Sequence, residues 1–185
     1  LDRITWGGYS TAMVIGERFC LSLSPKLDSA AAAPLLCAGI TTYSPLRHWG
    51  AGPGKKVGIV GLGGLGHMGV KFSHALGAHT VLFTTSEGKA QDARRLGADE
   101  VVLSKNAEDM RRHTGSFDLI VDTVSASHDL DAYTTLLRRD GALVLVGVPE
   151  HAHPSPGVGP LILRRRAITG SLIGDGLYAR APCRD

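Results

Sequence analysis

Gly61-Leu62-Gly63-Gly64-Leu65-Gly66 decides the fold of this chain. It follows Lys56-Val57-Gly58-Ile59-Val60, which ends in branched apolar residues suited to a strand buried on both faces. After it, Leu65, Met68, Val70, Phe72, Ala75 and Leu76 recur at roughly helical spacing up to Gly77, a helix stop. A phosphate-binding turn belongs between such a strand and such a helix. Gly61 permits the tight turn, Gly63 lets the backbone approach a pyrophosphate, and Gly66 lets helix and strand pack closely. Amides at the helix start, around Gly64 and Leu65, face the phosphates. A lone G-x-G-x-x-G also describes a flexible loop; the strand-turn-helix context is what favours dinucleotide binding.

The second strand, residues 79–83, selects the dinucleotide. It ends about 20 residues beyond Gly61, where an NAD site places an acid for the ribose hydroxyls. Thr84, Thr85 and Ser86 stand there instead, followed by Glu87, Gly88 and Lys89. Hydroxyls and an ammonium can surround a 2′-phosphate, whereas an acid would repel it, so NADP is favoured over NAD. An ordinary polar turn with Ser86 as a helix cap is the structural alternative, and Glu87 keeps it open.

Four further apolar runs, at residues 100–103, 117–122, 142–146 and 167–172, complete about six short strands separated by helical or longer connections. This predicts an α/β fold with a doubly wound parallel sheet in the order 3-2-1-4-5-6. A cofactor then crosses the carboxyl edge at the switch point between the first and fourth strands. Thr123 and Val124, with Ser125, and Gly147, with Val148 and Pro149, follow strands ending at that edge.

Composition excludes more than it assigns. The 185 residues are 43% hydrophobic, enough for one full domain and part of another. A net charge of +3 is too small to suggest a nucleic-acid surface, and Arg164-Arg165-Arg166 reads as a solvated helix end. No apolar run reaches a membrane span and no signal-peptide pattern opens the sequence, so the expectation is a cytoplasmic protein with no membrane or nucleic-acid partner. Cys20, Cys37 and Cys183 are too far apart for a disulfide framework or a self-contained zinc knuckle.

The ends break the repeat. Residues 9–15 and 19–23 read as antiparallel strands without an intervening helix. Asp28 or Ser29 caps a short Ala-rich helix; Pro34 starts or bends the next helix, and Pro45 bends it again. Residues 175–185 have no sustained period.

The helical run from Leu35 through Cys37, Thr41 and Pro45 to Trp49 carries the strongest resemblance. With Gly8-Tyr9-Ser10, the glycine motif followed by His67-Met68-Gly69, Leu96-Gly97-Ala98-Asp99 and Gly170-Ser171-Leu172-Ile173-Gly174, it resembles the zinc-dependent medium-chain alcohol dehydrogenases. The branch it is most similar to is the cinnamyl-alcohol-dehydrogenase-like, NADP-dependent aldehyde reductases, and the resemblance spans residues 7–174. It implies three parts: residues 1–33 as a remnant of a β-rich, GroES-like catalytic domain, residues 34–174 as an NADP-binding Rossmann domain, and residues 175–185 as an irregular tail.

The resemblance also implies roles for single residues. Cys37 matches a ligand of the family's catalytic zinc, although by itself it reads as a small buried hydrophobe. Thr41, one turn on, matches a contact on the nicotinamide side, and Ser171, Leu172 and Ile173 match the segment lining the nicotinamide. His67 and His74 read as helix-surface or pyrophosphate-adjacent groups; His48, His151 and His153 stay unassigned. The implied activity is hydride transfer between the cofactor and a small aldehyde or alcohol, with zinc as Lewis acid and a homodimer formed through the sixth strand. The other zinc ligands, the four-cysteine structural site and the proton relay have no counterpart in this sequence, which suggests a fragment or frame-disrupted product inactive by itself. A non-catalytic NADP-binding module remains the alternative. Cys37 speaks against a third reading, a zinc-free quinone-reductase-like relative.

Overall fold

The computed structural model describes residues 8–17 and 20–173. Its centre is a six-stranded parallel sheet in the order β3-β2-β1-β4-β5-β6, as the spacing predicts. The strands are β1 (Lys56–Val60), β2 (His79–Thr84), β3 (Glu100–Leu103), β4 (Phe117–Asp122), β5 (Leu137–Leu145) and β6 (Ala167–Gly170). Each pairs in parallel with its neighbours, Val60 lying beside Phe83 on one side and Asp122 on the other.

Alternating side chains feed two cores, one on each face. Val57, Ile59, Leu82, Leu119, Val121 and Val144 pack on one face against α2 (Ala38–His48) and α3 (Gly64–Ala75). Val60, Val81, Phe83, Phe117, Ile120 and Leu143 pack on the other with Met110, Tyr133 and Leu136. Both faces of each central strand exclude water, so the strands are apolar throughout rather than alternating. Gly58 makes room for this packing: a Cβ there would lie 2.8 Å from the Phe83 ring, which packs on Phe117 with 5.3 Å between ring centroids.

Several expectations need correction. Residues 9–15 are turn and irregular rather than strand, and no strand precedes Lys56 among the described residues. An extended run with no partner strand among the described residues has no ladder in which to place its backbone hydrogen bonds. Part of the second expected strand, at Phe19, lies outside the described residues, as does the tail at 175–185. The fifth strand begins at Leu137, five residues before its expected start, and shifts register against β4 between Phe117 and Leu119. The sixth ends at Gly170, leaving Ser171 to donate its N–H to the Leu145 carbonyl at 3.1 Å. Asp28, not Ser29, caps α1 (Ser29–Ala32), its Oδ1 accepting the Ala31 N–H at 2.9 Å. Pro34 opens a 3-10 turn, Ala33–Leu36, while α2 runs through Pro45 to His48.

Candidate functional site

The carboxyl edge of the sheet opens into a cavity of about 530 Å3 between the ends of β1, β2 and β4. Its floor is the glycine turn. Gly61 sits at φ +88°, a conformation that costs glycine nothing and strains other residues. A Cβ on Gly66 would lie 2.0 Å from the Gly61 carbonyl oxygen, so α3 can approach the turn this closely only without a side chain at position 66. Gly63 and Gly64 face open space and are exposed, which leaves the backbone at the helix start accessible to a ligand. The Thr123 hydroxyl donates to the Val60 carbonyl at 2.7 Å and ties the end of β4 to the turn.

The second wall comes from the end of β2. Thr84 and Thr85 line the cavity, and Lys89, from the 3-10 turn Glu87–Lys89, reaches over it to donate from Nζ to the Leu62 carbonyl at 3.4 Å. Ser86 occupies the cap position of that turn without a side-chain capping bond; its N–H goes to Thr84 Oγ1 at 3.2 Å. The ordinary N-cap explanation of Ser86 therefore lacks its hydrogen bond. The carboxylate in the lining, Asp129, comes from the segment after β4 and not from β2.

Of the residues singled out in the sequence, Gly61, Gly63, Thr84, Thr85, Lys89, Thr123 and Val124 meet around this one cavity. Gly64, Leu65 and Gly66 form the first turn of α3 beside it. Gly147 packs on the switch point, where a Cβ would lie 2.4 Å from the Val124 carbonyl oxygen, and its N–H donates to the Asp122 carbonyl at 3.2 Å. Thr41 is buried in α2, while Leu172 and Ile173 are exposed beyond β6; neither place is in the cavity lining. His67 is exposed on α3 with Nδ1 3.3 Å from the Gly63 carbonyl, next to the glycine turn. His74 is exposed on the same helix against Gly97.

Cys37 lies at the joint between the 3-10 turn and α2, exposed and unbonded to another cysteine. Its carbonyl accepts the Thr41 N–H at 3.0 Å, so the two are one helical turn apart as expected. Among the described residues, no three His, Cys, Asp or Glu side chains converge as metal ligands do. Arg165 pairs with Asp140 at 2.6 Å beyond the end of the helix Val158–Arg164, and only Arg166 of the three arginines is part-buried. Among the described residues no helix is long and apolar enough to cross a membrane.

Sequence reasoning missed the far wall. Ser104, His128, Asp129 and Tyr133 also line the cavity. Behind them Asp122, the last residue of β4, is 1% exposed and lies with Oδ2 2.9 Å from His128 Nε2. Burial pushes the Asp122 carboxyl above its ordinary range. It also pushes the Tyr133 phenol up to about 12. The one local signal was an acid ending the apolar run Leu119-Ile120-Val121.

Known proteins give the geometry a family. The model of the family described as zinc-binding dehydrogenase matches residues 64–183. Aldehyde reductase YahK of Escherichia coli is 63% identical over 171 residues, which cover 92% of this chain and 49% of that protein. NADP-dependent alcohol dehydrogenase C 1 of Mycolicibacterium smegmatis is 54% identical over 170 residues, 92% of this chain and 48% of the relative. The chain spans about half the length of the curated relatives it matches. Among solved structures, a cinnamyl alcohol dehydrogenase from Sorghum bicolor superposes with a TM-score of 0.87 at 38% identity, over 90% of this chain and 48% of that one. The Helicobacter pylori CAD complexed with NADP(H) gives 0.85 at 38% identity, over 94% and 49%. On its sheet order, its glycine turn and the match over residues 64–183, the chain belongs to the zinc-binding dehydrogenases.

Proposed function

We propose that this chain is the NADP(H)-binding part of an alcohol dehydrogenase or aldehyde reductase that interconverts primary alcohols and aldehydes. One observation carries the reading: the glycine turn and the Thr84, Thr85 and Lys89 groups face a single cavity, and β2 ends without an acid. The residues present fit a phosphorylated dinucleotide. Backbone at Gly63 and Gly64 is open to the pyrophosphate, and Lys89 with the threonine hydroxyls suits a 2′-phosphate. Thr123 and Val124 hold the opposite side; in the same reading Gly147 belongs to the switch point, and Thr41 and Ser171 to Ile173, outside this lining, to the nicotinamide end. Bound there, the nicotinamide supplies or takes the hydride; the chain's own residues bind the dinucleotide and orient it. The relatives named NADP-dependent, and the structure complexed with NADP(H), support the cofactor choice.

Zinc does not fit the described residues, because exposed Cys37 is not joined by further ligands and a catalytic zinc takes three. Cys37 therefore gives weight to a second reading, in which this chain by itself binds NADPH without turning over an aldehyde. The edge strand β6 pairs only with β5 among the described strands, beside exposed Leu172 and Ile173, and suits a homodimer. The reading places the protein in the cytoplasm.

Nucleotide fluorescence titration with NADPH and NADH tests the assignment. NADPH is expected to bind more tightly, and Lys89→Glu to weaken it ~tenfold or more while NADH changes little. Equal affinities overturn the NADP reading. Aldehyde-dependent NADPH oxidation, with bound zinc measured in parallel, decides whether the chain by itself turns over. Light scattering decides the dimer.

A further inference from the structure

Arg164, Arg165 and Arg166 do not form one solvated run in the fold. The chain leaves the helix Val158–Arg164 through Arg165 at φ +48°, and this left-handed turn divides the three side chains. Arg165 goes to Asp140, whereas Arg164 and Arg166 line a separate cavity of about 340 Å3 with Thr114, Thr135, Pro160 and Leu163. Thr114 precedes β4 and Thr135 precedes β5, so this cavity lies at the amino edge of the sheet, opposite the glycine turn.

The two guanidinium groups converge on one hydrogen bond there. The Gly115 N–H donates to the Thr135 carbonyl at 3.1 Å, and Arg166 Nη2 donates to the same oxygen at 3.1 Å. A Cβ on Gly115 would lie 3.3 Å from Arg164 Nη1, which places the second guanidinium over the same turn. Among the described residues no carboxylate lines the cavity. Acids on neighbouring elements are engaged elsewhere: Asp140 holds Arg165, Glu108 holds Arg111, and Asp131 accepts the Gly157 N–H at 3.0 Å. Arg166 Nε is buried without a hydrogen-bond partner among the described residues. Burial, and then the charge of Arg164, disfavour the Arg166 cation. The negative end of the helix dipole attracts Arg164 but leaves the repulsion between the two cations in place. An anion from outside the fold would offset both the lost solvation and the repulsion.

We propose that Arg164 and Arg166 form an anion-binding site, separate from the dinucleotide cavity, for a small molecule that carries a carboxylate or phosphate on an apolar stem. Guanidinium forks match the paired oxygens of either headgroup. The stem follows from the size and walls of the site: about 340 Å3 is the volume of a small-molecule pocket rather than of a single ion, and Pro160 and Leu163 supply apolar surface beside the charges. The site does not depend on the dinucleotide reading given above.

Nitrogen-15 NMR of the arginine side chains and backbone amides in the full chain tests it. The probes are phenyl phosphate and benzoate, with inorganic phosphate and acetate as their stemless counterparts and sodium chloride at matched ionic strength as the control. Phenyl phosphate or benzoate is expected to move the Arg164 and Arg166 Nε–H signals and the Gly115 amide saturably, and to bind ~tenfold more tightly than its stemless counterpart. The tighter of the two identifies the headgroup. Arg164→Gln, at an exposed position, is expected to keep the fold and to weaken binding ~tenfold or more. Shifts that chloride reproduces, shifts confined to Gly63 and Gly64 at the glycine turn, or unchanged affinity in Arg164→Gln overturn the proposal. Equal affinities with and without the stem overturn the ligand class.

Discussion

Two histidine–carboxylate contacts stand at opposite edges of the same parallel sheet. At the amino edge, Glu100 begins β3 and meets His79 at 2.5 Å and Lys56 at 3.3 Å, with His113 at 3.8 Å. At the carboxyl edge, Asp122 ends β4 and meets His128 at 2.9 Å. The difference between them is solvent: the Glu100 side chain is 39% exposed and the Asp122 side chain 1%. The His79 hydrogen bond therefore draws the Glu100 carboxyl below its ordinary range, while desolvation drives the Asp122 carboxyl above it despite a similar partner. One pair decorates a wet rim where ions are screened, and the other anchors the cavity wall.

The contrast breaks first at the glycine turn. Gly66→Ala places a methyl group 2.0 Å from the Gly61 carbonyl oxygen, so α3 must move away from β1. We expect dinucleotide binding to be lost and stability to fall by about 3 kcal/mol, read by denaturant unfolding. A variant that binds NADPH normally would show that the turn tolerates a looser helix. His128→Ala comes next. It removes the partner of a buried carboxylate and should cost about 2 kcal/mol, in contrast with the small cost expected at Glu100. Equal losses at the two edges would erase the comparison.

The sheet was legible because each strand is buried on both faces and so reads as a short apolar run, and the glycine turn because its chemistry is contained in six consecutive residues. The far wall was not legible. His128 reaches the cavity through segment 123–130, which has no period, and Tyr133 from the single helical turn Asp131–Thr134 after it; their neighbours Asp122 and Ser104 meet them only after the sheet orders β3 and β4. The start of β5 was hidden for a different reason: Arg138-Arg139-Asp140-Gly141 has the composition of a turn. Asp140 does adopt φ +63°, and the ladder absorbs it as a register shift. Residues 9–15 mislead in the opposite direction: Tyr9, Thr11, Val14 and Ile15 favour a strand, but none forms there, and no strand pairs with them among the described residues.

The smallest effect concerns acid. Glu100 is held below its ordinary range in the fold, chiefly by the His79 hydrogen bond, so its contribution is present above about pH 4.5 and lost as pH falls through the lowered value. His113 is also lowered, by burial and then by Lys56, so the fold favours its neutral form and loses stability as pH falls below about 6.5. Asp122 has the opposite sign, since a raised carboxyl favours the fold in acid. Glu100→Gln removes the carboxylate from the amino edge and leaves Asp122 untouched. Because Glu100 and His79 are both well exposed, we expect a cost under about 1 kcal/mol at neutral pH, reduced further by salt. Denaturant midpoints followed from about pH 7 down to about pH 4 should fall less steeply in this variant than in the wild type. An unchanged slope would mean that His113, half-buried beside Lys56 at 3.2 Å, sets the acid sensitivity of that edge by itself.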